Sequence, residues 1–343
     1  MLLLSGKNSV EQKAIAEKFN IPCKTLPIMP SLSLRHPVNS LKFLWGLAKG
    51  VPQALVILKK EKPSAVLGMG SFASLPVILA ATFLRLPVFL HDGNARIGKA
   101  NRVLSFFAKV LATAFPAVNA NKVHCKYVVS GMPVRPELKQ EALSKAESIE
   151  ALNAKFGCSL KSDYFTVLLF GGSQGARKLN QIFGEAVKSA AGKYKNIQLI
   201  QLTGAGEFDA MSKFYAEPDF PLLLLPTLAE MHWAFQASDL VISRSGGSTA
   251  AELNAFGKYA VVVPYPFAAE LHQDDNADYL VSLNAAEKVN DCDLEANMAL
   301  ALVERLYNKK DIAELGKNSI LPDAWLGAEN MLNIIDKTLE EEK

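Results

Sequence analysis

Two glycine-rich segments carry the residue types best suited to chemistry. The first, Phe170-Gly171-Gly172-Ser173-Gln174-Gly175-Ala176-Arg177, lies between the apolar run Phe165 to Phe170 and a helical pattern from Ala176 to Gly192. Small residues let the backbone approach a ligand closely, and a helix N-terminus offers free N–H groups and partial positive charge to phosphate oxygens. A plain tight strand-to-helix turn would use the same residues, and the spacing is neither a P-loop nor a dinucleotide fingerprint. The second, Ser243-Arg244-Ser245-Gly246-Gly247-Ser248-Thr249-Ala250-Ala251-Glu252, follows the strand-like Ser238 to Ser243. Here Thr249 and Glu252 are spaced as a capping box, which would give the glutamate a purely local duty. A carboxylate beside a glycine turn at the carboxyl end of a parallel strand is equally where ribose hydroxyls are held. Two such turns in one half of the chain favour a nucleotide over either turn alone.

Other polar residues fall at the ends of strand-like runs. His91-Asp92-Gly93-Asn94 follows Pro87 to Leu90, so these side chains are expected at the carboxyl edge of a sheet, with His91 exposed there for a catalytic or substrate role or bracing a loop. Arg135, in Ser130-Gly-Met-Pro-Val-Arg135, could clamp a diphosphate or a carbonyl. His272-Gln273-Asp274-Asp275-Asn276 sets carboxylates beside a histidine, but the spacing matches no common metal site. Asp291-Cys292-Asp293 imitates a metal-binding DxD pair, and because a helix is expected from Leu294 both aspartates are read as helix N-cap residues.

The elements that must position these groups alternate short apolar runs with helical patterns, as parallel α/β units do. In the front half, strands are expected at Leu2 to Leu4, Lys24 to Pro27, Ala65 to Leu67, Pro87 to Leu90, near Ala112 and near Tyr127. Helices are expected at Ser9 to Phe19, at Ser40 to Glu61 with an interruption near Gly50-Val-Pro52, from Pro76, and around Lys99 to Phe107. A polar stretch from Lys139 to Asp163 marks a boundary, and a second α/β series follows. The expected organisation is two doubly wound domains facing a cleft, 1–140 and 141–324, with an amphipathic helix in 325–343 packing back on the first.

The 343 residues, half of them hydrophobic, suffice for two cores. The net charge of +3 conceals an imbalance: 19 Lys and Arg face 5 Asp and Glu up to Lys139, against 18 and 29 beyond it. A basic front half suits an anionic membrane, a phosphorylated substrate or nucleic acid, and the absence of an aromatic RNP-like motif argues against an RNA module. Leu41-Lys-Phe-Leu-Trp-Gly-Leu-Ala-Lys49 interleaves Phe43, Leu44, Trp45 and Leu47 with lysines. A core-facing helix with a basic edge would look like this, and so would an interfacial membrane patch. Pro63 to Leu84 is uncharged and long enough to span a bilayer, but its glycines and serines punctuate it as strand, turn and helix. No signal peptide is evident, and four scattered cysteines support neither a disulfide framework nor a zinc site, as in a reducing cytoplasm.

Taken together, Leu67-Gly-Met-Gly-Ser-Phe-Ala-Ser-Leu-Pro76, His91 to Asn94, Met132 to Arg135, Gly171 to Asn180, Ser238 to Leu253 and His272 to Ala277 resemble the MurG family of glycosyltransferases. The resemblance implies a GT-B fold, UDP-GlcNAc as donor, the undecaprenyl-diphosphate-linked muramyl-pentapeptide lipid I as acceptor, and inversion at the anomeric carbon. It further implies no cofactor, no metal, no nucleic acid partner, and a peripheral place on the cytoplasmic face of the cell membrane. By position, Ser173 would touch the donor diphosphate, Arg135 would lie near the nucleotide and Leu228 against uracil. Gly247, Ser248 and Thr249 would meet the phosphates, Glu252 the ribose and Gln273 the sugar. His91 and Asn94 would be the front-domain candidates for catalysis, Asn94 also touching the donor.

Two departures stand out. The family's loop usually reads His-Glu-Gln-Asn, where this chain has His91-Asp92-Gly93-Asn94. The family's opening strand and glycine-rich turn ending in histidine have no counterpart, so the front domain is expected to be incomplete by roughly thirty residues, one strand-turn-helix. A short gene model or fragment would explain this. The alternatives to the family activity are a GT-B enzyme with another lipid acceptor and an inactive nucleotide-binding relative.

Overall fold

The computed structural model describes residues 3–6, 17–26, 37–139, 143–172 and 176–341. The chain divides into two compact units: residues 1–93, 97–129 and 331–343 form the first, and 94–96 with 130–330 the second. The helix expected from Ser9 falls outside the described residues except at its end.

In the first unit, β1 (Leu3–Gly6) and β2 (Cys23–Leu26) pair in parallel. There follow α1 (Pro37–Glu61), β3 (Val66–Gly68), α2 (Leu75–Phe83), β4 (Val88–Asp92), α3 (Lys99–Leu104), β5 (Val110–Thr113) and β6 (Lys126–Val129). Strands β3 to β6 form a parallel sheet in sequence order. Every residue of β4 and β5 is buried, as expected of inner parallel strands covered on both faces. The period-two alternation of a strand sorts β4 between two cores. Val88 and Leu90 pack with Phe43, Ala54, Leu58 and Ile78 from α1 and α2, while Phe89 points to the other face.

The interruption expected near Gly50 does not occur: α1 runs unbroken through Pro52. Gly50 serves helix packing instead, since a methyl there would lie 3.0 Å from Pro76 Cβ and Cγ of α2. The uncharged stretch Pro63 to Leu84 is strand, short turn and the nine-residue α2. Among the described residues no helix is long and apolar enough to cross a membrane.

The second unit contains α4 (Pro136–Lys139), α5 (Lys145–Phe156), β7 (Phe165–Phe170), α6 (Arg177–Lys193), β8 (Ile197–Leu202), α7 (Phe208–Phe214), β9 (Leu222–Leu225) and α8 (Met231–Ala237). It continues with β10 (Leu240–Ser243), α9 (Gly247–Ala255), β11 (Ala260–Val262), α10 (His272–Ser282), β12 (Ala286–Lys288), α11 (Ala296–Tyr307) and α12 (Ile312–Asn318). Helix α5 begins with a true capping box between Ser144 and Glu147 and ends at left-handed Gly157. All six strands are parallel in the order β12-β11-β10-β7-β8-β9, so the direction of winding reverses between β7 and β10. Phe183 and Val187 of α6 pack with Leu302, Val303 and Leu306 of α11 on one face of this sheet. The last helix, α13 (Gly327–Glu340), places Met331, Ile334, Ile335 and Leu339 against Phe89, Val110 and Ala112 of the first unit's sheet.

Candidate active site

Reversal of winding leaves a crevice at the carboxyl ends of the two strands on either side, because their following connections depart in opposite directions. Those strands are β7 and β10, and both glycine segments begin there. Their last residues, Phe170 and Ser243, are register partners.

At the first turn Gly171 is required by space: a Cβ would sit 2.4 Å from that of Ala176 and 2.6 Å from its nitrogen. Gly172 has φ +87°, the left-handed region that favours glycine. Ser173, with Gln174 and Gly175, lies outside the described residues. At the second turn Gly246 caps α9 and no side chain caps the first-turn amides. These N–H groups, including those of Gly247, Ser248 and Thr249, are the kind that bind an anion.

The capping-box reading of Glu252 fails. Thr249 is already inside α9, one turn before Glu252, and the glutamate faces elsewhere. The residue is 8% exposed, and its carboxylate accepts a 3.3 Å hydrogen bond from Arg135 Nη2. Burial pushes the Glu252 carboxyl above the ordinary carboxylate range, and the Arg135 charge pulls it part of the way back. Leu228, just beyond β9, is buried.

Gln273 lies in the first turn of α10 and is held at both ends. Its backbone oxygen accepts from Ser245 Oγ at 2.7 Å, and its side-chain oxygen accepts from the Tyr265 amide at 2.9 Å. One turn on, Asn276 is fully buried and uses its whole amide. Nδ2 donates to Asn94 Oδ1 at 3.1 Å and to the Ser245 carbonyl at 3.0 Å, and Oδ1 accepts from the Ala95 amide at 2.8 Å. Asn94 is thus tied to the second glycine turn through a single side chain. Beside it Arg96 and Asp275 form an ion pair.

His91 departs from expectation: it is 2% exposed. The strand continues through Asp92, in register with Ala112 and Thr113, so His91 is covered where an edge residue would be open. The loop after it is braced by Asp92, whose Oδ2 accepts from the Gly98 amide at 2.9 Å and from Asn101 Nδ2 at 3.0 Å.

Asp291 and Asp293 are not N-caps. Helix α11 starts at Ala296 with Glu295 before it, and Asp291 instead lies 2.6 Å from Arg244 Nη1. The buried Leu294 draws this segment inward, and an arginine with little solvent needs a counterion. Arg244 Nη1 also donates to the carbonyls of Val263 at 3.2 Å and Pro264 at 3.1 Å, so it ties the second turn to the end of β11. Neither Arg244 nor Asn276 was singled out by sequence. Their signal, a cation and an amide inside segments already marked as polar, is common, and only their partners distinguish them. Among the described residues no cluster of three His, Cys, Asp or Glu side chains could hold a metal ion.

On α1 the four apolar residues split by helical geometry. Phe43 is 5% exposed, edge-to-face with Phe72 at 6.0 Å, and Leu47 one turn later packs on the same core. Phe43 is therefore a core residue, not part of an outer patch. Leu44 and Trp45 are 58% and 64% exposed, and Lys49 Nζ lies 4.6 Å from the Trp45 ring centroid.

Two parallel α/β units, one of them wound in Rossmann order with glycine turns at its switch point and a buried carboxylate beside them, define a GT-B nucleotide-sugar protein. The sequence model of the glycosyltransferase family 28 N-terminal domain matches residues 4–113, and that of the C-terminal domain residues 166–331. The chain belongs to this family, in its MurG branch. It is 31% identical over 348 residues to the UDP-N-acetylglucosamine–N-acetylmuramyl-(pentapeptide) pyrophosphoryl-undecaprenol N-acetylglucosamine transferase of Desulforamulus reducens, covering 99% of this chain and 90% of that one. The crystal structure of MurG from Acinetobacter baumannii superposes with a TM-score of 0.75 at 25% identity, over 98% of this chain and 90% of that one. A Neisseria meningitidis UDP-GlcNAc 2-epimerase bound to UDP-GlcNAc shares the fold alone, at TM-score 0.62 and 14% identity over 96% and 88% of the two chains.

Proposed function

We propose that this chain transfers N-acetylglucosamine from UDP-GlcNAc to an undecaprenyl-diphosphate-linked muramyl-pentapeptide, with inversion, as the relative from D. reducens is named to do. The observation that carries the nucleotide half is the pairing of Phe170 with Ser243, which starts both glycine turns from one point of one sheet edge. The acceptor half is supported by the family and by the D. reducens relative.

In this reading the turn amides at Gly171–Gly172 and Gly247–Thr249, with Ser173, receive the donor diphosphate. Glu252 accepts a ribose hydroxyl, Leu228 lies against uracil, Arg135 serves the phosphates and Gln273 the sugar. An acceptor hydroxyl oxygen attacks the anomeric carbon from the side opposite the diphosphate and gives up its proton to solvent water, the bond from that carbon to the phosphate oxygen breaks, and UDP departs as an anion. Fixed N–H dipoles aimed at the departing charge stabilise it without reorganisation. Asn94, steadied by Asn276, is assigned to the donor sugar. His91 is too enclosed to take the acceptor proton as it stands, and we assign it to bracing the loop before Asn94.

The first unit is proposed as the acceptor- and membrane-facing domain. Exposed Leu44 and Trp45 amid lysines would settle on an anionic bilayer at the cytoplasmic face, where a lipid-linked acceptor resides. The test is release of UDP from UDP-GlcNAc with and without a lipid I analogue. Acceptor-dependent release is expected; release only with a different lipid acceptor, or from UDP-galactose in preference to UDP-GlcNAc, would overturn the assignment.

A further inference from the structure

Glu252 has a side-chain partner within its own unit, and it is the arginine assigned above to the phosphates. Arg135 Nη2 lies 3.3 Å from Glu252 Oε1. The two ends are unequal: the Arg135 side chain is more than half exposed, whereas Glu252 is nearly covered. A buried carboxylate needs a donor, while an exposed guanidinium is nearly as well served by water. The arginine is therefore the member free to leave. It follows Pro133 and Val134 in a segment outside helix and strand, and three flexible side-chain carbons let its head sweep several ångströms without moving the backbone.

We propose that Arg135 is an exchangeable counterion. It neutralises Glu252 until a uridine diphosphate enters, whereupon a ribose hydroxyl takes its place on the carboxylate and the guanidinium passes to the diphosphate. One positive charge thus serves two anions in turn. The exchange gives the site a preference for the phosphorylated ligand over the bare nucleoside. A nucleoside must break the Arg135–Glu252 pair and offers the arginine nothing in return, whereas a diphosphate offers a stronger, doubly charged acceptor. No carboxylate is left buried and unpaired at either stage.

Because the site is taken to hold a uridine diphosphate, as proposed above, the first measurement is UDP binding to the unaltered protein by titration calorimetry; absence of binding would remove the nucleotide reading itself. With binding established, the exchange is tested on Arg135→Gln, with uridine followed by ligand-observed NMR. Losing the competing cation should tighten uridine about two- to fivefold, the worth of one partly exposed ion pair. UDP should weaken by about tenfold or more, the worth of a charged hydrogen bond to phosphate. The opposite signs are the signature. In a Glu252→Gln background the uridine gain from Arg135→Gln should vanish, since no ion pair remains to break. Equal weakening of uridine and UDP, no change in either, or a uridine gain that persists in the Glu252→Gln background would each overturn the exchange while leaving the nucleotide site in place.

Discussion

Phe170 and Ser243 sit opposite each other at the ends of adjacent parallel strands, and each is followed at once by a glycine turn into a helix. Neighbouring parallel strands lie about 4.8 Å apart, so the two turns start within one diphosphate's reach of each other. Each turn has its own reason for glycine: at Gly171 a side chain would collide with Ala176, and at Gly172 the backbone is left-handed.

Gly171→Ala should therefore damage both fold and site. Relieving a 2.4 Å approach requires the first turn of α6 to move away from β7, at a cost of about 1–3 kcal/mol. A lower Tm, and a smaller rise in Tm on adding UDP, are expected in thermal denaturation. An undiminished UDP response would mean that this turn does not touch the ligand.

Glu252 gives stability a pH dependence of known sign. Its folded-state carboxyl is raised by burial, so the native protein holds a proton at pH values where the unfolded chain has released it. Stability then falls as pH climbs from the ordinary carboxylate range through the raised value and levels off above it. Glu252→Gln lacks this titration, so its Tm relative to the natural protein should increase between about pH 4 and pH 7. A difference that stays flat across that range would show that the carboxylate carries no burial penalty.

Lys258 works in the other direction. Burial lowers its ammonium to about 8, with Asp239 opposing and Lys145 and Lys317 adding to the shift, while Nζ donates to the Ser238 carbonyl at 2.7 Å. The native state sheds this proton before the unfolded chain does, so stability rises with pH from about 8 toward the ordinary lysine value of 10.5. Urea unfolding should show the natural protein gaining on Lys258→Met over that window. Parallel pH profiles for the two proteins would contradict it.

The split of α1 predicts two different phenotypes two residues apart. Phe43→Ala removes a packed ring and should cost about 3–5 kcal/mol of stability. Trp45→Ala, on the exposed side, should change stability by about 0.5 kcal/mol or less. It should weaken sedimentation with vesicles containing anionic lipid, binding that salt also weakens. Vesicle binding unaffected by Trp45→Ala would move the membrane contact elsewhere.

Sequence alone determined what local pattern and residue type can determine. Apolar runs alternating with helical periods fixed a parallel α/β architecture, and β7, β10 and their glycine turns were legible because an inner parallel strand and a close backbone approach each demand particular residues. The rest depended on distant partners. His91 reads as an edge residue until its covering layers are known, and Phe43 and Trp45 look alike until helix rotation assigns one inward and one outward. Thr249 and Glu252 have capping-box spacing, yet the helix starts three residues too early for it and a cation 117 positions away in sequence takes the carboxylate. Arg244 meets Asp291 only because the order β12-β11-β10 brings their segments together, and Asn276 meets Asn94 across 182 positions of sequence. Spacing along the chain encodes local geometry, whereas burial and charge pairing depend on which surfaces folding brings together, and that was decided by the tertiary structure.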